Sequence, residues 1–245
     1  MKTPQDFYAK RYNIGGLTEE RVRRCLETFS RYKAESLLDI GCADGAITAE
    51  LKKAVGATEA HGLEIATGAV EAARANGIDA VLLNVDTGDF PFPDKRFDAI
   101  YCGEVIEHVF NTDHLLDEIS RVLTPQGFCV LSTPNLAGWP NRLALLMGFQ
   151  PYPTSVAPKH EAAGKFLITG EEGQWGHIRV FTLRALNQVV QAHGFRVVSV
   201  QGCPVTVNSK SWASRYASLF DRVMSRFPSL SNRVILVLKK DATTK

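Results

Sequence analysis

Short runs of aliphatic and β-branched residues alternate along this chain with stretches of helical spacing, and that alternation limits its fold more than any other feature. Ser36 to Ile40 reads as a buried strand ending at Gly41, and Ala46 to Val55 returns to helical spacing through Ile47, Leu51 and Val55. Ala60 to Ile65 is a second strand, and Thr67 to Asn76 an alanine-rich helix stopped by Gly77. Ala80 to Val85, Phe97 to Cys102 and Phe128 to Ser132 are three further strands, with a helix over Asp113 to Leu123 before the last of them. After a long interruption Thr182 predicts a helix cap, Gly194 its end, and Phe195 to Val200 and Val234 to Leu238 complete seven strands. An opening helix spans Glu19 to Lys33, with Glu20/Arg24 and Glu27/Arg31 spaced as ion pairs. Strands alternating with helices imply crossover connections, so the expected class is α/β: a doubly wound, mostly parallel, Rossmann-like seven-stranded sheet with helices on both faces. At 245 residues one such domain accounts for the whole chain, 1–245.

In a doubly wound sheet, ligands sit beyond the carboxyl ends of the strands. The richest strand end is Leu37-Leu38-Asp39-Ile40-Gly41-Cys42-Ala43-Asp44-Gly45. Gly41 and Gly45 permit a tight turn and close backbone approach to a ligand, while Asp39 and Asp44 place carboxylates beside it. That combination suits a ligand carrying ammonium and sulfonium charges and would repel a pyrophosphate. Neither the dinucleotide pattern G-x-G-x-x-G nor the phosphate loop G-x-x-x-x-G-K-[ST] is present. Glu64 ends the second strand about 20 residues past the glycine turn, where a carboxylate binds ribose hydroxyls. Asp86, in Asn84-Val85-Asp86-Thr87, follows the third strand and can accept from an adenine amino group; Asp89 competes for that role.

These marks, with Phe90-Pro91-Phe92-Pro93-Asp94-Lys95-Arg96-Phe97-Asp98, resemble the class I S-adenosylmethionine (SAM)-dependent methyltransferases, especially the ubiquinone/menaquinone-biosynthesis-like branch. Glu104-Val105-Ile106-Glu107-His108-Val109, Arg121 to Gly127 and Ser132-Thr133-Pro134-Asn135 extend the likeness, which is close over residues 35–135 and holds in outline over the last third. The resemblance implies an antiparallel last strand, SAM as cofactor and S-adenosylhomocysteine as its product. It implies further that Asp39, Gly41 and Gly45 hold the amino-acid end, Glu64 the ribose and Asp86 the adenine, that Glu104 lies near the methionine moiety, and that Cys42, Asp44, Ile65 and Thr87 are further cofactor-binding residues. One departure is Gln126, where the family usually has glycine, on the side of the sheet away from the cofactor.

Methyl transfer from a sulfonium is an in-line displacement, so a protein must chiefly align the two reactants and exclude water. A base matters only for a weakly acidic hydroxyl or a protonated amine. His108, just past the fourth strand, and His177, in Gly176-His177-Ile178-Arg179-Val180-Phe181-Thr182, are the candidate catalytic bases; His160 is a distant third. Related enzymes carry a similar His-x-Arg-x-Phe-Thr segment. No metal is expected, because histidines, cysteines and carboxylates show no ligand spacing of a recognised kind. The five cysteines, at 25, 42, 102, 129 and 203, form no C-x-x-C pair and read as small buried residues.

Acceptor choice should come from additions to the minimal fold: a lid over about 1–17 with Phe7, Tyr8 and Tyr12, and an insertion over about 136–178 read as a short helix and a covering loop. A later stripe, Trp212, Tyr216, Leu219, Phe220, Val223 and Phe227, is interleaved with Arg215, Arg222 and Arg226, and reads as pocket wall or as a basic amphipathic helix resting on a membrane. The expected reaction is transfer to oxygen of a small-molecule or lipid- or glycan-linked acceptor, with N- or C-methylation, a SAM-binding protein without catalysis, and a nicotinamide oxidoreductase as the other readings. A formal charge of +2 and a pI near 8.3 argue against a dedicated nucleic-acid binder. With no signal-like apolar run in Met1 to Arg11 and no stretch nearing 18 apolar residues, a cytoplasmic protein is expected.

Overall fold

A computed structural model describes residues 17, 19–157, 160, 162–166, 176–204 and 212–241, without the side chains of 212–217. The expected lid therefore lies outside the described residues except for Leu17, as do the side chains of Trp212, Arg215 and Tyr216 and, within the insertion, 158–159, 161 and 167–175.

Seven strands form one sheet: β1 (Ser36–Ile40), β2 (Glu59–Glu64), β3 (Asp79–Leu82), β4 (Phe97–Gly103), β5 (Leu123–Pro134), β6 (Phe195–Cys203) and β7 (Arg233–Lys240), in the order β3-β2-β1-β4-β5-β7-β6. The first five are parallel; β7 runs antiparallel to both β5 and β6. The order reverses between β1 and β4, which opens a crevice at their carboxyl ends.

The near-continuous apolar strands follow from burial on both faces. Alternate residues serve two cores. Leu37 of β1, Ala99 and Tyr101 of β4 and Val130 of β5 pack with helices α1 (Glu20–Phe29), α2 (Ala46–Val55) and α3 (Thr67–Ala75). Leu38 and Ile40, Ile100 and Cys102, and Cys129 and Leu131 point the other way, onto α4 (Thr112–Val122) and α6 (Leu183–Ala192). Between these last two comes α5 (Trp139–Leu146), and after β6 comes α7 (Trp212–Met224).

Local chemistry sets the element ends. Asn111 Oδ1 accepts the His114 N–H to start α4, and Thr182 Oγ1 accepts that of Ala185 to start α6. β3 stops earlier than its apolar run suggests. Asn84 turns the chain there, its side chain taking the Asp86 N–H and its carbonyl those of Thr87 and Gly88. Arg24 pairs with Glu20 at 2.8 Å, but Glu27 pairs with Arg23 rather than Arg31, because α1 ends at Phe29 and leaves Arg31 beyond its last turn. Gln126 is an exposed residue near the amino end of β5, where the register with β4 shifts, at the opposite end of the strand from the crevice. All five cysteines are buried and unpaired. No helix among the described residues is long and apolar enough to cross a membrane.

Candidate functional site

The loop after β1 is held shut by its own hydrogen bonds. Gly41 and Cys42 both donate to the Leu63 carbonyl, Gly45 donates to that of Cys42, and the Ala43 N–H meets Glu64 Oε2 at 3.1 Å. Glu64 Oε1 accepts from Ile65 and Ala66 at 2.8 and 2.9 Å, so one carboxylate ties the loop to the end of β2. Gly41 and Gly45 both have φ of 78°, as the turn requires. A Cβ at Gly41 would meet Val105 Cγ2 at 2.6 Å, and one at Gly45 would meet Ile78 and Ala73, so the glycines make room for protein atoms. Cys42 is buried, its Sγ where a side chain at Gly62 would stand.

Three carboxylates gather here with little exposure: Asp39 at 2%, Glu64 at 8% and Asp44 at 9%. Burial raises the Asp39 carboxyl to about 7, opposed by the hydrogen bond from Thr48 Oγ1 at 2.5 Å and aided by the negative charge of Glu64. Asp44 Oδ1 accepts the Ala46 N–H. This donor set fits a cationic ligand and not a phosphate. The N–H groups of Gly41, Cys42, Ala43 and Gly45, which a pyrophosphate would need, are already engaged, and the side chains that remain are acidic. Asp86 follows the Asn84 turn, its Oδ1 accepting the Asn111 N–H at 2.7 Å, and the Thr87 N–H closes that turn.

The second half of the site begins at the end of β4. Glu104, with φ of 58°, receives Ser132 Oγ at 3.1 Å and pairs with Arg233 of β7 at 2.9 Å. Burial alone would raise this carboxyl; the guanidiniums of Arg233 and Arg21 outweigh it and hold Glu104 below the ordinary carboxylate value. A single 3₁₀ turn, Ile106–His108, then places Glu107 fully inside the protein. Burial, and next the charge of Glu104, push Glu107 well above its ordinary value. Its Oε2 accepts from Thr133 Oγ1 at 2.9 Å, and its Oε1 has no hydrogen-bond partner among the described residues.

His177 arrives from far along the chain. The N–H groups of Ile178 and Arg179 donate to the Glu107 carbonyl at 2.8 and 3.0 Å, stitching the 176–181 segment to the 3₁₀ turn. The rings of His108 and His177 consequently lie 4.9 Å apart, centroid to centroid, with planes tilted by 59°. His108 Nδ1 faces the Gly176 carbonyl at 3.3 Å and His177 Nδ1 that of Pro153 at 2.7 Å. Burial, then the neighbouring imidazole, lower His108 to about 4, so it is neutral near pH 7. His160 is exposed, its N–H on the Ala157 carbonyl.

The structure thus gathers Asp39, Gly41, Cys42, Asp44, Gly45, Glu64 and Ile65 at one place, and Glu104, His108 and His177 at another. Sequence spacing showed no group of potential metal ligands; the fold makes one, from Glu107, His108 and His177. It also adds Thr48 on Asp39, Arg21 on the Tyr101 hydroxyl at 2.5 Å, and Arg233 on Glu104. Only Thr48 carried a local signal, one turn into the helix that the loop opens.

Comparison with known proteins places these features. Residues 11–200 match the family model described as a methyltransferase domain. A demethylmenaquinone methyltransferase of Staphylococcus carnosus is 29% identical over 205 residues, covering 79% of this chain and 82% of that one. A Staphylococcus aureus enzyme of the same name is 29% identical over 151 residues, covering 58% of this chain, which spans only 63% of that relative. Among solved structures, a chain from the complex between the Haloferax volcanii Trm112 methyltransferase activator and a putative methyltransferase superposes with a TM-score of 0.66 at 15% identity, covering 98% of this chain and 97% of that one. A SAM-dependent methyltransferase from Archaeoglobus fulgidus gives 0.57 at 19% identity, with 96% and 98% covered. At such identities the structural likenesses speak for the fold.

Proposed function

The chain belongs to the methyltransferase-domain family and is a SAM-dependent methyltransferase; from that premise we propose that it methylates an oxygen of a small-molecule, glycan-linked or lipid-linked acceptor. One observation carries the reading: a collar of three poorly exposed carboxylates, Asp39, Asp44 and Glu64, stands at the ends of β1 and β2, while two imidazoles stand together past β4.

Bound SAM supplies an electrophilic methyl group on a good leaving group, and positioning does the rest. In this reading the loop from Asp39 through Gly41 and Cys42 to Asp44 and Gly45 holds the amino-acid end, and Glu64 with Ile65 the ribose. Asp86 and Thr87 lie against the adenine, and Glu104, steadied by Arg233, sits beside the methionine moiety. The His108–His177 pair meets the acceptor hydroxyl and governs the departure of its proton. An oxygen–carbon bond forms as the carbon–sulfur bond breaks, the sulfur keeping the bonding pair, and S-adenosylhomocysteine remains.

For the acceptor, the reading draws on two supports. The Staphylococcus relatives are named for a quinone-type substrate. Leu145, Leu146, Leu219, Phe220 and Phe227, on and just after α5 and α7, are exposed beside Arg222 and Arg226. Trp139 joins the two helices, its ring 4.9 Å from that of Phe220 and its Nε1 donating to Asp221 at 2.8 Å. An apolar surface with arginines suits a lipid-linked acceptor approached at a membrane surface. The insertion over 136–178 covers the acceptor in this reading.

The test is transfer of labelled methyl from SAM to panels of glycan, phenol or quinol, and lipid-linked acceptors, with product mapping of the methylated atom. Label on oxygen in one panel is the expected result. Label on nitrogen or carbon would revise the acceptor atom, and SAM binding with no transfer to any panel would leave a binding protein.

A further inference from the structure

We infer that Asn141 is a positioning residue for His177: acting through the turn Pro151 to Thr154, it sets the direction and tautomer of that imidazole. The sign is a helix turned inside out. Asn141 is the one buried residue of α5, at 3% exposure, while Leu143, Leu145 and Leu146 of the same helix are exposed. A buried amide is costly unless its polar atoms are paired, and an apolar side chain there would carry no such demand. Both ends of this amide are paired. Nδ2 donates to the Asn135 carbonyl at 3.0 Å, and Oδ1 accepts the Tyr152 N–H at 3.0 Å.

The Asn135 end is anchored to the sheet. Asn135 directly follows β5 and is fully buried. Its N–H donates to the Asn232 carbonyl at 2.8 Å, its Nδ2 to that of Ser231 at 2.9 Å, and its Oδ1 accepts from Ala137. Ser231 and Asn232 lead straight into β7, so the link starts from a fixed point.

The Tyr152 end is stiff. In Pro151-Tyr152-Pro153 both prolines have a fixed φ and no N–H, so Tyr152 carries the only main-chain donor of the three, and Asn141 takes it. Thr154 closes the turn, its N–H and Oγ1 both donating to the Pro151 carbonyl. The Pro153 carbonyl then meets His177 Nδ1 at 2.7 Å. A carbonyl can only accept, so Nδ1 carries the proton and the lone pair is on Nε2. The bonds from Ile178 and Arg179 to Glu107 place the backbone beside His177; the Pro153 bond sets its ring. This deepens the proposed function and rests on its assignment of His177 to the acceptor's proton.

The experiment reads His177 directly. In a two-bond ¹H–¹⁵N spectrum of the histidine-labelled chain, its signals, identified by their loss in His177→Ala, should show the Nδ1–H tautomer. The Nε2–H tautomer in the unaltered chain overturns the inference. Asn141→Leu keeps the bulk of the side chain and removes both bonds. It should shift His177 toward a mixture of tautomers and lower kcat on an identified acceptor by about 10- to 100-fold, the scale of a misplacement of about 1 Å, with acceptor KM and SAM affinity unchanged. Unchanged spectrum and kcat overturn the inference. Retained SAM affinity shows that the variant is folded; should it not fold, Asn141→Asp, which keeps the shape and the acceptor for Tyr152, replaces it with the same directions expected. Added to His177→Ala, the substitution should lower kcat no further. An undiminished loss in that background puts the effect of Asn141 elsewhere, which overturns the inference while the proposed function stands. Turnover untouched by His177→Ala, with a spectrum that still responds to Asn141→Leu, removes the base from the proposed function and keeps the tether.

Discussion

The two halves of the crevice are built on opposite plans. At the ends of β1 and β2 the functional groups come from one short loop and one strand end, and they are wired by backbone bonds: Gly41 and Cys42 to Leu63, Ala43 to Glu64. Past β4 the groups come from distant segments. Glu104 needs Arg233, Glu107 needs Thr133, and His108 meets a histidine brought in by the 176–181 segment. A locally wired half should tolerate changes elsewhere and fail as a unit when its own carboxylate is lost. An assembled half should lose function one contact at a time, with the fold left intact.

The sharpest way to separate the halves is His177→Ala. Turnover on an identified acceptor should fall by about 10²–10⁴-fold, the usual range for a positioned proton-handling group, with SAM affinity in calorimetry unchanged. Equal losses in both measurements would erase the division. Glu64→Ala should do the converse, weakening SAM by about 10- to 100-fold and stability by about 1–3 kcal/mol, since the N–H groups of Ala43, Ile65 and Ala66 lose their acceptor. Chemical denaturation and SAM titration together check this, and undiminished SAM affinity would remove Glu64 from the site.

A pH series tests the charge logic of the first half. Asp39 titrates at about 7 in the folded chain, above its value of about 3.9 when unfolded. Its contribution to stability is therefore complete below about pH 4 and lost as pH climbs through 7. Affinity for a cationic ligand moves the opposite way, because only the ionised carboxylate attracts it. Between about pH 5.5 and 7.5, below the titration of the ligand's own α-amino group, SAM affinity should rise by up to about tenfold per unit. Asp39→Asn should flatten the profile; a slope kept by this variant would assign it to another group. The smallest effect lies outside the site. Burial disfavours charged His193, yet its hydrogen bonds to Asp117 and Asp113 raise its pKa overall, so its stabilisation is full below about pH 6.5 and fades as pH rises through the folded value. With both aspartates exposed, His193→Ala should cost a few tenths of a kcal/mol in acid and less in base, read from urea midpoints at two pH values.

The first half was legible because its chemistry is short-range. Ser36 to Ile40, Gly41 and Gly45, and the helix from Ala46 are written consecutively, and Glu64 ends the neighbouring parallel strand, so strand order alone brings them together. β3 was read too long because an apolar run extends past Asn84, whose side chain turns the chain regardless of hydropathy. In the second half, His108 and His177 were each recognisable as candidates, yet nothing in their spacing says that the rings end 4.9 Å apart. Glu107 stood in a motif without a role, since burial of a carboxylate is invisible in a sequence.

By itself the sequence determined the class of fold, the mainly parallel, crossover-connected sheet and the acidic loop after β1, because periodicity, turn residues and strand ends act over a few residues. Only the tertiary structure decided which side chains face one another past β4, and which oxygen of Glu107 is left without a hydrogen bond among the described residues. Those contacts depend on β7 returning antiparallel beside β5 and on the 176–181 segment docking against the turn after β4. Both are long-range events whose geometry no local pattern encodes.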